Sequence, residues 1–286
     1  MNIMLQKIVK NRGKITAIMV LVLIIMLSKF VNELGVNYIE NKKERNNGVM
    51  VGAEPFFIQK GNDIGVLMLH GFSSSPKDFH ELANFLAGKN ITVYAPLLPG
   101  HGTHPKNLKG ISYQQWSDAA QESLNKLDTK KKFVLGYSMG GTLALHLASE
   151  NELNGIISIN SAILLANKYI KFIPIVKTAE TYTSKKPETI IQFIDEKRTV
   201  YDSMPLSSVL ELEKLISSLQ LQKITEPILI LQSENDNTIL LESAEVIYSS
   251  IKSEDKRLIF LENSTHFKIN NQEESFSRLY EFIQEH

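Results

Sequence analysis

The 286-residue chain contains no cysteine. That absence excludes disulfides, a cysteine nucleophile, thiolate-bound metals and the modified cysteine of a bacterial lipoprotein anchor; it leaves the redox compartment open. Net charge is missing as well, since 31 Lys and Arg balance 31 Asp and Glu. A neutral chain offers no electrostatic ground for binding nucleic acid or an acidic partner. No internal repeat or low-complexity tract is visible. What is plentiful is apolar content, 43% of the chain, enough for a sizeable core in one or two domains.

One apolar run stands apart from the rest. Lys7, Lys10, Arg12 and Lys14 precede the aliphatic stretch Ile15 to Leu27. A basic region followed by an apolar core is the arrangement of a secretory signal or a signal anchor. The run is shorter than the ~17–25 residues usual for a bilayer span. Snorkelling by Lys14 and Lys29 extends it to residues 15–31. Ser28-Lys29-Phe30 is a poor cleavage site, so an uncleaved anchor in the cell membrane is favoured over a removed signal and a secreted product. The basic residues of 1–14 favour a cytoplasmic N-terminus and a folded domain on the other side. Residues 32–48, with Asn41-Lys42-Lys43-Glu44-Arg45-Asn46-Asn47, read as a solvated linker before a folded domain over 49–286.

From Val49 onward, strand-like and helix-like stretches alternate. Glu54-Pro55-Phe56-Phe57-Ile58 reads as an edge strand, and Ile64 to Leu69 is an apolar run of the length of a buried parallel strand. Ser75-Pro76 opens a helix in which Phe79, Leu82, Ala83, Phe85 and Leu86 share a face. Ile91–Ala95, Phe133–Gly136, Gly155–Asn160, Pro227–Gln232 and Arg257–Leu261 are further strands. Ser112-Tyr113-Gln114-Gln115 is a capping box for a helix to about Asp128, and a last amphipathic helix spans 273–283. This alternation predicts a mostly parallel sheet covered by helices on both faces, an α/β fold. Between Asn160 and Pro227 no strand is evident; the interval holds Tyr169-Ile170-Lys171-Phe172-Ile173-Pro174, a helix over Pro187 to Glu196, and the stretch Leu206 to Leu221. An insertion there overhangs the C-terminal edge of the sheet, so 162–222 is expected to form a cap.

The chemistry centres on Gly136-Tyr137-Ser138-Met139-Gly140-Gly141. A β-branched run leads in and an Ala/Leu-rich run leads out, which makes strand, sharp turn and helix. Gly-x-Ser-x-Gly in that setting is the nucleophile elbow of α/β-hydrolases. Ser138 must take a strained backbone to lift its hydroxyl clear, and side chains at 136 and 140 would collide. Met139 starts the helix with its N–H free to face an oxyanion.

A serine hydroxyl needs a base within hydrogen-bond reach and an acid to orient that base. In this fold the chain order is Ser, acid, His. Beyond the elbow helix stand only His266 and His286. His286 is C-terminal and expected to fray, whereas His266 follows the last strand. Glu234 and Asp236 both follow the strand ending at Gln232; Asp236, deeper in the loop, is favoured, with Glu234 the alternative and Asp255 a poor third. The second oxyanion donor is expected from His70-Gly71-Phe72, as the N–H of Phe72. His70 reads as a structural residue of its loop. His101 and His104 flank Gly102-Thr103 without an acidic or third histidine ligand, so no metal site is expected.

Four stretches taken together resemble one family. They are Gly65-Val-Leu-Met-Leu-His-Gly-Phe72, Pro96-Leu-Leu-Pro-Gly-His-Gly-Thr103, Gly136 to Gly141, and Asn263-Ser264-Thr265-His266. They resemble the bacterial carboxylesterase/monoacylglycerol lipase family of α/β-hydrolases, as does Gly52-Ala53-Glu54-Pro55-Phe56. The resemblance runs from Val51 to the C-terminus. It implies an α/β-hydrolase fold, a triad of Ser138, Asp236 and His266, an oxyanion hole from the N–H groups of Phe72 and Met139, a small cap over an acyl tunnel, and no cofactor. In the lipases of the group a cap acid in a Tyr-Glu-Lys-Thr-Pro-like segment helps form the glycerol pocket. Here Tyr201-Asp202-Ser203-Met204-Pro205 places the shorter Asp202 there. The N-terminal anchor departs from the familiar soluble members. The expected function is hydrolysis of short- to medium-chain acyl esters, monoacylglycerols among them. A thioesterase or acyltransferase on the same triad is the alternative; a catalytically dead fold binding lipid or a partner has no support in a sequence with every triad residue type present.

Overall fold

A computed structural model describes residues 2–268 and 272–286, with side chains from Lys14 onward. The basic flank formed by Lys7, Lys10 and Arg12 therefore lies outside the described side chains. The chain opens with helix α1 (Asn2–Glu40), followed by the short hairpin β1 (Arg45–Asn46) and β2 (Val49–Met50). Then come β3 (Phe56–Ile58), β4 (Ile64–Leu69), α2 (His80–Gly88), β5 (Thr92–Ala95), α3 (Pro105–Leu108) and α4 (Tyr113–Asn125). β6 (Lys131–Tyr137), α5 (Met139–Ala148) and β7 (Gly155–Ile159) surround the elbow. After them lie α6 (Ile173–Val176), β8 (Tyr182–Ser184), α7 (Pro187–Asp195), β9 (Ser203–Pro205) and α8 (Leu206–Ser218). The chain ends with β10 (Ile228–Ser233), α9 (Glu242–Ser250), β11 (Lys256–Leu261) and α10 (Gln272–Glu285).

Seven strands form the central sheet in the order β11-β10-β7-β6-β4-β5-β3. All neighbours are parallel except the edge pair β3 and β5. The side-chain period of two divides the sheet between two cores. Leu67, Leu69 and Val134 face Trp116, Leu143, Leu215 and Ile247 of α4, α5, α8 and α9. Val66, Met68, Phe133 and Leu135 face Leu82, Leu86, Leu279 and Phe282 of α2 and α10. Covering on both faces is why the strands read as unbroken apolar runs. This is the α/β-hydrolase arrangement. The capping box of α4 is formed: Ser112 Oγ accepts from Gln115 N at 3.4 Å, and Gln115 Oε1 accepts from Ser112 N at 3.0 Å.

Three expectations need correction. The stretch 32–48 is not a solvated linker. Helix α1 continues unbroken to Glu40, and Val36 and Glu40 are buried against the domain; Asn32, Glu33, Glu40 and Lys43 bond to residues 181–203, while Asn41, Lys42, Glu44, Asn46 and Asn47 are exposed. The interval 160–227 does contain strands, since β8 and β9 pair antiparallel with Tyr182 opposite Pro205. Three-residue strands carry too little alternation to be read from sequence. His286 is not frayed: its ring nitrogens lie 2.8 Å from the Phe282 carbonyl and 2.9 Å from Asp255 Oδ2. That contact, with Arg257 beside it, holds the Asp255 carboxyl below its usual range.

One helix of the described residues is long and apolar enough to cross a membrane. Its span within Lys14–Glu40 has a mean hydropathy of 2.3, and among the described residues none of it is buried.

Candidate active site

Ser138 sits between β6 and α5 with φ 56° and ψ −121°, a conformation that non-glycine residues rarely adopt. Surrounding backbone over-determines it. Ser138 N donates to Ile159 O at 2.9 Å, while Ser138 O accepts from Thr142 N at 3.1 Å and Ala162 N at 3.3 Å. A Cβ on Gly136 would land on the Gly140 carbonyl, and one on Gly140 would land on the Leu69 carbonyl. Those two glycines are thus required by close backbone approach, one inside the turn and one against the neighbouring strand. Met139 begins α5, so its N–H has no acceptor within the helix.

The structure brings Ser138, His266 and Asp236 together. His266 Nε2 lies 3.0 Å from Ser138 Oγ, and His266 Nδ1 lies 2.6 Å from Asp236 Oδ2. The side chains of His266 and Asp236 are 2% and 1% exposed. Asp236 Oδ1 accepts from Thr238 N and Ile239 N, both at 2.8 Å. One carboxylate oxygen is therefore fixed by the loop backbone, and the other faces the imidazole and also accepts from Gln232 Nε2 at 3.4 Å. Glu234 is exposed, with no side-chain hydrogen bond to His266 among the described residues.

Neighbouring residues that carry no motif also shape the site. Asn160, at the end of β7 with φ 46°, bonds both later loops. Its Oδ1 accepts from Ser233 N at 2.7 Å, and its Nδ2 donates to Ser233 Oγ at 3.0 Å and to His266 O at 3.4 Å. The Tyr137 ring lies 5.4 Å from the His266 ring, and Phe267 meets that ring edge-on at 4.7 Å.

The loop after β4 runs directly against the elbow. A Cβ on Gly71 would lie 3.3 Å from Ser138 Cβ, so only glycine lets the backbone come so near without displacement. His70 is buried within this loop. Its Nε2 accepts from Leu98 N at 3.1 Å, and its Nδ1 lies 3.0 Å from the Gly71 carbonyl. Burial lowers its pKa to about 4, in keeping with a neutral ring that accepts at one nitrogen and donates at the other. Burial and the neighbouring His70 lower His101 likewise. The Phe72 ring packs edge-on against Trp116 at 5.9 Å and His101 at 6.0 Å. His104 caps α3 by accepting from Lys106 N. Among the described residues no cluster of three His, Asp or Glu is placed to hold a metal.

Ser138 itself is only 9% exposed. The segment between β7 and β10 contributes no strand to the central sheet. It is joined to the domain by a buried ion pair that sequence reading missed. Arg198, between α7 and β9, donates from Nε to Asp78 Oδ1 at 3.0 Å and from Nη2 to Asp78 Oδ2. Its guanidinium lies over the rings of Phe193 at 5.1 Å and Phe267 at 5.4 Å. It also donates to the Phe267 carbonyl, beside His266. Lys185 donates to Tyr201 O at 2.6 Å; burial, reinforced by Arg198 and Lys43, lowers its pKa to about 7. Asp202 lies at the cap's edge, 2.9 Å from Lys43 Nζ. Among the described residues no hydrogen bond joins Asp202 to the three residues at the elbow.

Known proteins match this same domain. The family described as Hydrolase_4 (serine aminopeptidase, S33) matches residues 62–273. A thermostable monoacylglycerol lipase of Bacillus sp. (strain H-257) is 32% identical over 229 residues, covering 76% of this chain and 88% of that one. A carboxylesterase of Bacillus subtilis (strain 168) is 26% identical over 245 residues, covering 82% and 98%. Among solved structures, a chain from work on LipS and LipT, two metagenome-derived lipolytic enzymes, aligns with a TM-score of 0.76. It is 29% identical and covers 83% of this chain and all of that one.

Proposed function

The chain belongs to the Hydrolase_4 family, as a serine hydrolase of esterase and monoacylglycerol lipase type, and we propose that it cleaves short- to medium-chain acyl esters, monoacylglycerols among them, while anchored in a membrane by residues 15–31. The observation that carries the reading is the hydrogen-bonded series from Ser138 Oγ to His266 Nε2, at 3.0 Å, and from His266 Nδ1 to Asp236 Oδ2, at 2.6 Å.

In this mechanism Ser138 Oγ attacks the ester carbonyl as His266 Nε2 takes its proton. Asp236 holds the ring in the tautomer whose Nε2 accepts, and stabilises the imidazolium that forms. Negative charge develops on the carbonyl oxygen, where the N–H groups of Met139 and Phe72 receive it. Met139 is suited by its place at the start of α5, and Phe72 by the close approach of its loop to Ser138. His266 then protonates the leaving alcohol. Water, deprotonated by the same imidazole, attacks the acyl-enzyme and frees the acid and Ser138.

The relatives' names support the ester class, and the buried serine supports a substrate that leaves water to reach it. The domain division follows: a basic N-terminal segment on the cytoplasmic side, the anchor, and a hydrolase domain beyond the membrane with its cap over about 162–222. Asp202 is given no glycerol-binding role, because its carboxylate pairs with Lys43.

The test is turnover of p-nitrophenyl butyrate and of a monoacylglycerol by the full chain in detergent, together with labelling by a fluorophosphonate. Turnover and labelling are expected, and both are expected to vanish in Ser138→Ala. An enzyme that hydrolyses neither ester, or labels equally well without Ser138, overturns the reading.

A further inference from the structure

Helix α1 changes character at residue 32 without changing direction. From Ile15 to Val31 nearly all large apolar side chains are exposed. At ~1.5 Å per residue that stretch with Lys14 measures about 27 Å, close to the ~30 Å of a bilayer's hydrocarbon core. The next turns present one face to the cap, with Asn32, Val36 and Glu40 four residues apart.

That face is bonded to both strands of the β8–β9 hairpin. Asn32 Oδ1 accepts from Thr181 N at 3.1 Å and Tyr182 N at 2.8 Å, and Asn32 Nδ2 donates to Tyr182 O at 3.2 Å. Glu33 Oε1 accepts from Thr181 Oγ1 at 2.9 Å. Glu40 is fully buried; its Oε1 accepts from Asp202 N at 2.8 Å and Ser203 N at 3.4 Å. Lys43 Nζ closes the set, donating to Val200 O at 2.7 Å and lying 3.1 Å from Glu40 Oε2 and 2.9 Å from Asp202 Oδ1. A flexible tether needs none of these bonds. Burying a carboxylate is costly unless it is paired and hydrogen-bonded, as Glu40 is.

The consequence is geometric. Thr181 and Tyr182 are fixed to Asn32, directly where the apolar span ends. Leading into them, Lys177 N to Ile173 O and Glu180 N to Val176 O keep the turn tight, so α6 stays beside Thr181. There Tyr169, Phe172, Ile175 and Val176 are exposed. Lys168 and Lys171 lie against the Tyr169 and Phe172 rings. Apolar and aromatic side chains with snorkelling lysines suit a lipid–water boundary. The outer face of α1 continues the theme with exposed Leu34, Tyr38 and Ile39.

We propose that Asn32 to Lys43 is a clamp that fixes the cap, through its β8–β9 hairpin, against the lipid surface in which residues 14–31 are embedded, so that the protein draws substrate from the membrane that carries it. The substrate half of this rests on the ester-hydrolase reading above; the clamp itself does not.

The experiment uses the full chain in phosphatidylcholine vesicles containing a minority of phosphatidylglycerol. Because the sequence lacks cysteine, Ile175→Cys and Asp63→Cys each give one labelling site for an environment-sensitive fluorophore. Ile175 lies in the cap segment, and exposed Asp63 at the opposite edge of the sheet. Nitroxide-bearing lipid is expected to remove about half or more of the emission at 175, as at a headgroup–acyl boundary, and little at 63. Adding Asn32→Ala and Glu40→Ala is expected to abolish most of the quenching at 175. In the same vesicles KM for an embedded monoacylglycerol should rise about tenfold, as an effective-concentration advantage is lost, while turnover of a soluble p-nitrophenyl ester is kept. An unquenched label at 175 in the otherwise native chain overturns the clamp, and so does quenching that survives both substitutions. Quenching as expected in a chain that hydrolyses no ester overturns the ester-hydrolase reading and leaves the clamp standing.

Discussion

Asp236→Asn separates the orienting role proposed for this acid from its structural one. In the native loop Oδ1 accepts two backbone N–H groups at 2.8 Å and Oδ2 faces His266 Nδ1 at 2.6 Å. Asparagine has one acceptor oxygen, and the two N–H groups of Thr238 and Ile239 require it. Its –NH2 is then left facing Nδ1. A donor at that position forces Nδ1 to accept and moves the ring proton to Nε2. The Nε2–H then points at Ser138 Oγ, and the serine has lost its base. An enzyme left in the wrong tautomer loses about 10⁴-fold in kcat, roughly 5 kcal/mol of barrier. Because both loop bonds survive, the melting temperature should fall by no more than a few degrees. The assay is steady-state hydrolysis of p-nitrophenyl butyrate with thermal unfolding measured on the same preparation. A folded Asp236→Asn enzyme within tenfold of wild type refutes the argument. So does a larger loss in Glu234→Gln, which would move the role to the other acid of the loop.

Gly140→Ala places a methyl group on the Leu69 carbonyl; the expected outcome is loss of soluble, fluorophosphonate-reactive protein, whereas the open position Gly88 should accept alanine with native yield and melting temperature. Arg198→Ala leaves the Asp78 carboxylate buried without its partner, at a cost of ~3–5 kcal/mol; denaturant unfolding should show Arg198→Ala/Asp78→Ala destabilised by clearly less than the sum of the two single changes. Acid should weaken the fold through His70. Burial holds its folded pKa at about 4, below the ordinary histidine value of 6.5, so between those values the unfolded chain holds a proton that the folded chain does not. Stability therefore falls as pH drops through that window, by up to about 1.4 kcal/mol per pH unit for each such histidine. Unfolding midpoints at pH 7 and pH 5 should show this, and the slope should be shallower in His70→Gln.

The legible parts of the fold share one physical origin. β4, β6, β7 and β10 are buried on both faces, and that burial writes itself into the sequence as unbroken apolar runs. The elbow was legible for a related reason, since Gly136 and Gly140 are fixed by backbone collisions that no other residue avoids. Chain order did the rest, because each candidate residue stands directly after a recognisable strand. Asn160 and Arg198 left no such trace. A buried asparagine that bonds Ser233 and His266, and an arginine that bonds Asp78, are defined by partners 73, 106 and 120 residues away in sequence. A single sequence does not reveal which distant residues meet.

The misread stretch at 32–48 follows from the same limit, with a sharper lesson. Asn32, Glu33, Glu40 and Lys43 have the composition of a solvated linker because hydrogen-bonding residues look alike whether water or protein receives their bonds. What separates the cases is periodicity. Asn32, Val36 and Glu40 recur every four residues with one apolar member, and that spacing gives a helix face. Polar residues at helical spacing, directly after an apolar span, therefore mark a docked helix more strongly than a tether. The partner must supply matching backbone groups at a free edge, and β8 and β9 do so at Thr181, Tyr182, Asp202 and Ser203. The strand pair and the helix end were unreadable together because each supports the other: a three-residue strand pair is marginal alone, and without it Glu40 Oε1 would lose the N–H groups of Asp202 and Ser203.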